Sequence, residues 1–230
     1  MRPLKFSAAD PWIFTKKTPF MQRIGDYARG GFSQYIQGKC SLKKLPNLTQ
    51  KLADRYKMNM AKITQVRHKK EGKNVYIWLG YVDKEGIVYW VLLLHEGTEK
   101  DTTDSWKNLS EDRIQITGYE LVKLPRAKSK NAAFTWRYSR KRYDEIRNEI
   151  VDSIRNRRDD ELKQIIYSLW RSPGFAAVRD QVKKTRILMI KEWQRTRSKN
   201  EEMPPIPRQI GFARRIEDVG DFWSILVERK

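Results

Sequence analysis

Residues 87–94 read Ile-Val-Tyr-Trp-Val-Leu-Leu-Leu, an unbroken apolar run with no polar residue at alternate positions. A strand with one wetted face alternates apolar and polar residues. A run apolar throughout therefore belongs in the middle of a sheet covered on both sides, or at an interface. Before it come Asp83-Lys84-Glu85-Gly86, a turn with glycine at its end, and residues 75–82, β-branched and aromatic. Together they predict a hairpin. The run is far short of the roughly 20 residues a membrane helix requires.

The same reading extends to both sides. Residues 61–67 read as a strand before a second turn, Glu71-Gly72-Lys73-Asn74, and residues 113–124 and 134–138 as two strands after a polar loop. Residues 46–58 have Leu48, Leu52, Ala53 and Tyr56 at helical spacing, with Asn47 as a cap. From Ser139 the period becomes helical: Tyr143, Ile146, Ile150 and Ile154 form one stripe, and Leu162, Ile165, Ile166 and Leu169 a second after Asp159-Asp160-Glu161. A third helix is expected from Ser172-Pro173, with Phe175, Val178, Val182, Met189 and Trp193 on one face.

The fold class that follows is α+β: an antiparallel or mixed sheet of about five strands followed by a basic three-helix C-terminal unit. The expected divisions are an irregular, aromatic-rich segment (1–45), the sheet domain (46–138), the helical unit (139–199), and a proline-rich linker with a short C-terminal segment (200–230).

Charge narrows the function. There are 48 Lys and Arg against 28 Asp and Glu, a net of +20, on a chain with 8 tryptophans. Such a field implies a polyanionic partner, with nucleic acid the usual one, and the aromatics imply that the charge is mounted on a folded body. Residues 126–199 carry 21 basic and 9 acidic side chains, the densest basic stretch, whereas residues 200–230 are slightly acidic with 5 against 6. Cys40 is the only cysteine, which excludes an internal disulfide and fits a reducing compartment. With no signal-peptide core in the first twenty residues, a soluble, cytoplasmic protein without a membrane partner is expected.

Arg140, Arg147, Arg155 and Arg158 are spaced to flank the apolar stripe of the first C-terminal helix, and Arg179, Lys183, Arg186 and Arg197 that of the third. Two such stripes suit phosphate tracking. Arg67, Lys69, Lys70, Lys73 and Asn74 cluster at the turn between two expected strands, where they could clamp a backbone or reach base edges. Residues 48–67 also admit a helix-turn-helix reading with 60–68 as recognition helix, although the turn has no glycine. Trp136, among basic neighbours, is a base-stacking candidate.

Enzyme signals are weak. His68 and His95 are far apart in sequence, and no metal-ligand spacing occurs, so neither a metal nor a cofactor is expected. Glu120 and Lys123 resemble part of a nuclease motif, with Asp104 and Asp112 as further acids, but their i, i+3 spacing puts them on opposite faces of a strand. The reading is a non-enzymatic DNA- or RNA-binding protein that works with other protein subunits. The alternatives are a metal-dependent nuclease using Glu120, and an adaptor for an acidic protein partner. In layout, a mixed sheet followed by basic helices is loosely similar to small subunits of CRISPR-type surveillance complexes and to plasmid replication or mobilisation proteins.

Overall fold

The computed structural model describes residues 7–98, 100–101, 104–126 and 129–229. The chain is α+β and divides into two compact units, Met1–Ile114 with Arg215–Lys230, and Gln115–Arg214. The first runs β1 (Trp12–Phe14), α1 (Lys17–Arg29), β2 (Gln34–Ser41), a 3-10 turn (Leu42–Lys44), α2 (Leu45–Arg55), α3 (Lys62–Lys70), β3 (Val75–Val82), β4 (Ile87–His95) and β5 (Lys107–Asn108). The second holds β6 (Gln115–Ile116), β7 (Tyr119–Arg126), β8 (Ser129–Tyr138), α4 (Arg140–Arg155), α5 (Asp159–Trp170) and α6 (Ala176–Thr196). The chain then returns to the first unit as β9 (Gly220–Phe222) and α7 (Trp223–Glu228).

The first unit is a mixed sheet in the order β5-β2-β4-β3-β1-β9, with β1 parallel to β3 and the other pairs antiparallel. The apolar run is β4, in the interior between β2 and β3, and both its faces are covered. Trp78 and Tyr81 of β3 are three residues apart and so point to opposite faces. Phe20 of α1 stacks on Tyr81 with ring centroids 5.9 Å apart. Trp78, Val82, Val88 and Leu92 pack with Leu42, Leu45, Leu52 and Tyr56 on the other face. Val88, Val91, Leu92, Leu93 and Leu94 are all 0 % exposed. Each such side chain contributes on the order of 1.5–3 kcal/mol. The preceding turn is closed by Asp83, whose Oδ1 accepts from the Glu85 and Ile87 amides at 3.0 and 2.9 Å, while Gly86 takes φ +82°.

Glycine makes room for tryptophan in this sheet. Trp90 is in register with Gly38 on one side and Gly80 on the other. A Cβ at Gly38 would come within 2.6 Å of the Trp90 ring, and one at Gly80 within 2.5 Å of Trp78. Neither strand tolerates a side chain there.

Several expectations need correction. Residues 61–67 are not a strand: Ala61 precedes α3 as its N-cap and 62–67 fall within the helix, which buries none of its residues. Its Lys, Gln and Arg residues are good helix formers, and four basic side chains in its last turn complement the helix dipole. The expected single sheet is two, because β6-β7-β8 form their own three-stranded antiparallel sheet. Residues 113–124 are broken at Thr117 (φ 42°) and Gly118 (φ 83°), the two-residue positive-φ turn that joins β6 to β7. The aromatic N-terminal segment is regular from Trp12 onward, and Phe14, Phe20 and Tyr35 are core residues at 1 %, 0 % and 1 % exposure.

The helices that follow are not free of the sheet: α4 packs on α5 and α6, and α6 packs on β8. Gln181 of α6 reads the β8 backbone directly, accepting from the Tyr138 amide at 2.7 Å and donating to its carbonyl at 3.1 Å. Ser139 caps α4 by accepting from the Arg142 amide at 3.3 Å. The third helix begins at Ala176, later than Ser172-Pro173 suggested, because Ser172 is engaged with the Tyr138 hydroxyl and the Ser168 carbonyl. No helix among the described residues is long and apolar enough to cross a membrane.

Candidate functional site

The second unit carries 24 Lys and Arg against 12 Asp and Glu. What matters for a ligand is which of these cations are already neutralised. On α4, Arg140 and Arg147 share Asp144 at 3.9 and 4.0 Å, both loosely, and Arg147 also lies 5.9 Å from the Tyr143 ring. Arg155 is committed: its Nε donates at 2.7 Å to Glu192 of α6, which is buried and also accepts from Arg195 at 2.5 Å. Hydrogen bonds from Arg195 and then Arg155 hold that carboxyl below the usual carboxylate range despite its desolvation. Arg158 pairs with Asp152 and with Glu161 at 3.0 Å.

The α6 stripe is freer. Lys183, Lys184 and Lys191 are exposed and form no ion pair among the described residues. Their spacing puts them on one solvent face around Ile187, which is 44 % exposed. Arg186 is half-buried with an Nε that has no hydrogen-bond partner among the described residues, and Arg179 lies over the ring of Phe212. Arg197 is a structural residue. Its side chain is 2 % exposed, pairs with Asp159 and, at 3.1 Å, with Glu201, and stacks on Trp193 at 4.4 Å.

The cluster in the first unit divides in the same way. Arg67, Lys69 and Lys70 are in the last turn of α3, not at a hairpin tip. Arg67 and Lys70 are exposed, Arg67 with Glu71 3.8 Å away. Lys73 is paired with Glu71 at 2.8 Å. Lys69 turns inward, donating to the Gly30 carbonyl at 3.1 Å and lying 4.4 Å from the Phe32 ring, and burial lowers its pKa. Asn74 is used internally as well, its Oδ1 accepting from the Gly97 amide at 2.7 Å. Both helices of a helix-turn-helix are present as α2 and α3. A recognition helix packs an apolar face on its partner, however, whereas Ile63 and Val66 of α3 are 82 % and 47 % exposed.

Trp136 is 1 % exposed, so neither face of its indole is open to a base. Glu120, also buried, accepts from Arg137 Nε at 2.7 Å across the β7–β8 pair. No bulge separates Glu120 from the exposed Lys123, and the two sit on opposite faces. Asp104 accepts from the Tyr56 hydroxyl and pairs with Arg55 at 3.3 Å. Among the described residues no three His, Cys, Asp or Glu side chains converge to hold a metal ion.

His95, at the end of β4, meets Phe32 edge-on with ring centroids 5.7 Å apart. Burial, and then the charge of Lys69, hold its imidazole below the ordinary value of 6.5. The unfolded chain therefore takes up this proton at higher pH than the folded one. The stability tied to the neutral ring is complete above about pH 6.5 and is lost as pH falls through the lower folded value. Melting curves of the wild type and His95→Gln between neutral and mildly acidic pH should converge as pH falls. Parallel curves would exclude His95 as the source.

Sequence reading missed Lys184, Lys191 and Phe212. The lysines lie on the helical face already identified and were recoverable from the i, i+1, i+8 spacing to Lys183. Phe212, in the short C-terminal segment expected after the proline-rich linker, gives no periodic signal. Comparison with protein families, with curated proteins and with solved structures finds no match to this chain.

Proposed function

We propose that this protein is a non-enzymatic nucleic-acid-binding protein whose phosphate-contacting surface is the solvent face of α6, assisted by the loosely paired Arg140 and Arg147 of α4. The observation that carries this reading is the row Lys183, Lys184 and Lys191: three exposed ammonium groups without acidic partners among the described residues. On α4 and α5, by contrast, most cations are matched by Asp144, Asp152, Glu161 and Glu192. Unneutralised charge repeated along one helix releases counterions when phosphates replace them, and gives salt-dependent affinity. Exposed Arg67 and Lys70 of α3 add a second basic surface on the first unit. Exposed Ile63 and Val66 beside them favour a protein neighbour as well, and hence a role as a subunit of a larger nucleoprotein assembly, such as a CRISPR-type surveillance complex or a plasmid replication or mobilisation complex.

The test is a salt titration of binding to labelled DNA and RNA. Each phosphate that a variant leaves unneutralised should reduce the slope of log K against log salt by about 0.7–0.9, so Lys183→Glu, Lys184→Glu and Lys191→Glu combined should flatten it by about 2–3. Arg155→Gln, which removes a cation already held by Glu192, should change it by less than about 0.7. An unchanged slope in the triple variant removes α6 from the site. Absence of any affinity at low salt would favour the acidic-protein adaptor instead.

A further inference from the structure

Phe212 is 78 % exposed, yet it is held. The Arg179 guanidinium lies over its ring with Cζ 3.7 Å from the centroid. The Ala213 amide donates to the Gly174 carbonyl at 2.9 Å, which pins the segment to the connection between α5 and α6. The approach is too close for a side chain: a Cβ on Gly174 would lie 1.9 Å from the Gly211 carbonyl oxygen. Around Gly211 itself space is open, with nothing within 4 Å of a Cβ built there. The phenyl ring is thus backed by a planar cation on one side and presented to solvent on the other.

The surroundings match a polyanion with flat apolar groups. Lys183, one turn along α6 from Arg179, and Arg208, four residues before Phe212, are exposed and form no ion pair among the described residues. A second exposed aromatic, Tyr167 at 63 %, stacks on Arg171 at 5.0 Å just before the same α5–α6 connection. Arginine-backed rings amid free cations are suited to bases stripped of their partners, because every base has a π face and its backbone supplies the negative charge. A duplex keeps its bases inside and offers such a ring nothing to stack on.

We infer that Phe212 is a stacking platform for an unpaired nucleobase, and that the nucleic acid is single-stranded where it passes residues 171–175. This rests on the nucleic-acid reading above and adds the class of ligand. The experiment compares a labelled single-stranded oligonucleotide, as DNA and as RNA, with a duplex of the same length, by fluorescence polarisation at low salt. Phe212→Ala should weaken single-strand binding roughly 5- to 100-fold, as expected for loss of one stacked base. Duplex affinity should stay within twofold, and Phe212→Trp should restore single-strand binding, with its indole emission quenched on saturation. Phe212→Leu, apolar without a ring, should resemble alanine. Equal losses on single strand and duplex, or single-strand affinity unchanged in Phe212→Ala, would overturn the stacking role while leaving α6 as a phosphate surface. Failure of the wild-type protein to bind any of these probes would instead overturn the nucleic-acid reading, and leave Phe212 as a protein-docking residue.

Discussion

Arg23→Ala is expected to lower the stability of the first unit by roughly 3–5 kcal/mol, the range for breaking a buried ion pair by removing one partner. Its side chain is only 5 % exposed and joins two distant parts of the chain. The Nε donates to Asp218 at 2.5 Å, one terminal nitrogen to Asp26 at 2.6 Å, and the other to the Ile216 carbonyl at 3.1 Å. Burial alone would raise the Asp26 carboxyl, but hydrogen bonds from Arg23, Arg215 and Arg29 outweigh it and hold that group below the ordinary carboxylate value. Truncation leaves Asp218 without its 2.5 Å partner and removes three of the bonds that tie Arg23 to its neighbours, leaving Arg215 to Asp26 and the Ile216 amide to Gln22 as the remaining links, among the described residues, between the 215–229 segment and α1. Because Asp26 and Asp218 keep 27 % and 18 % of their side-chain surface exposed, water recovers part of the loss and the lower end of the range is expected. Urea unfolding, with a slope of about 1–3 kcal/mol/M, would register this as a midpoint shift of a molar or more. Limited proteolysis should also cut first within residues 215–229. A shift below about 0.3 M would mean that the β1–β9 pairing and the bonds of Arg215, Ile216, Trp223 and Ser224 hold the segment without Arg23.

Trp136→Ala should be comparably severe in the second unit, roughly 3–5 kcal/mol, because the indole is fully buried and its removal leaves a cavity. It faces Leu121, itself 2 % exposed, across the β7–β8 pair, on the sheet whose outer strand packs against α6. Trp136→Phe refills most of that volume and should cost less than half as much. The pair of variants separates a core role from a binding role. If Trp136 only packs, the phenylalanine variant should match the wild type in the proposed nucleic-acid binding, at the same salt slope. A selective loss of binding in a stably folded Trp136→Phe would reinstate the tryptophan as a ligand-binding residue.

Where periodicity is strong, the chain declares its structure. The strands β3 and β4 follow from an apolar run and a turn that opens on Asp83 and ends on Gly86, and the buried stripe of α6 from Val178, Val182, Met189 and Trp193. α3 escapes because Ile63, Thr64 and Val66 favour strands, while the neighbours that decide its state are Lys, Gln and Arg. The second sheet escapes because Thr-Gly is a weak signature for a positive-φ turn. The basic stripes were legible as spacing, but their neutralisation was not. Glu192 reaches Arg155 from 37 residues away and Asp159 reaches Arg197 from 38, and no local pattern anticipates an acid arriving from another helix. The hydrogen bonds that Lys69 and Asn74 make within the unit are hidden for the same reason, since their partners Gly30 and Gly97 are distant in sequence.

The return of the chain to β1 has a consequence for synthesis. β9 pairs with β1 in the register Trp12↔Phe222, and the Trp223 indole donates to the Leu42 carbonyl at 2.8 Å, so the first unit is closed by residues made after the whole second unit. At about 5–20 residues per second, a ribosome leaves β1 unpaired on that side for on the order of 10–40 s, while all of Gln115–Arg214 is made. The inserted unit has every residue it needs to fold during that interval; its host does not. That the waiting edge is only three residues long limits what a neighbouring nascent chain can add to it.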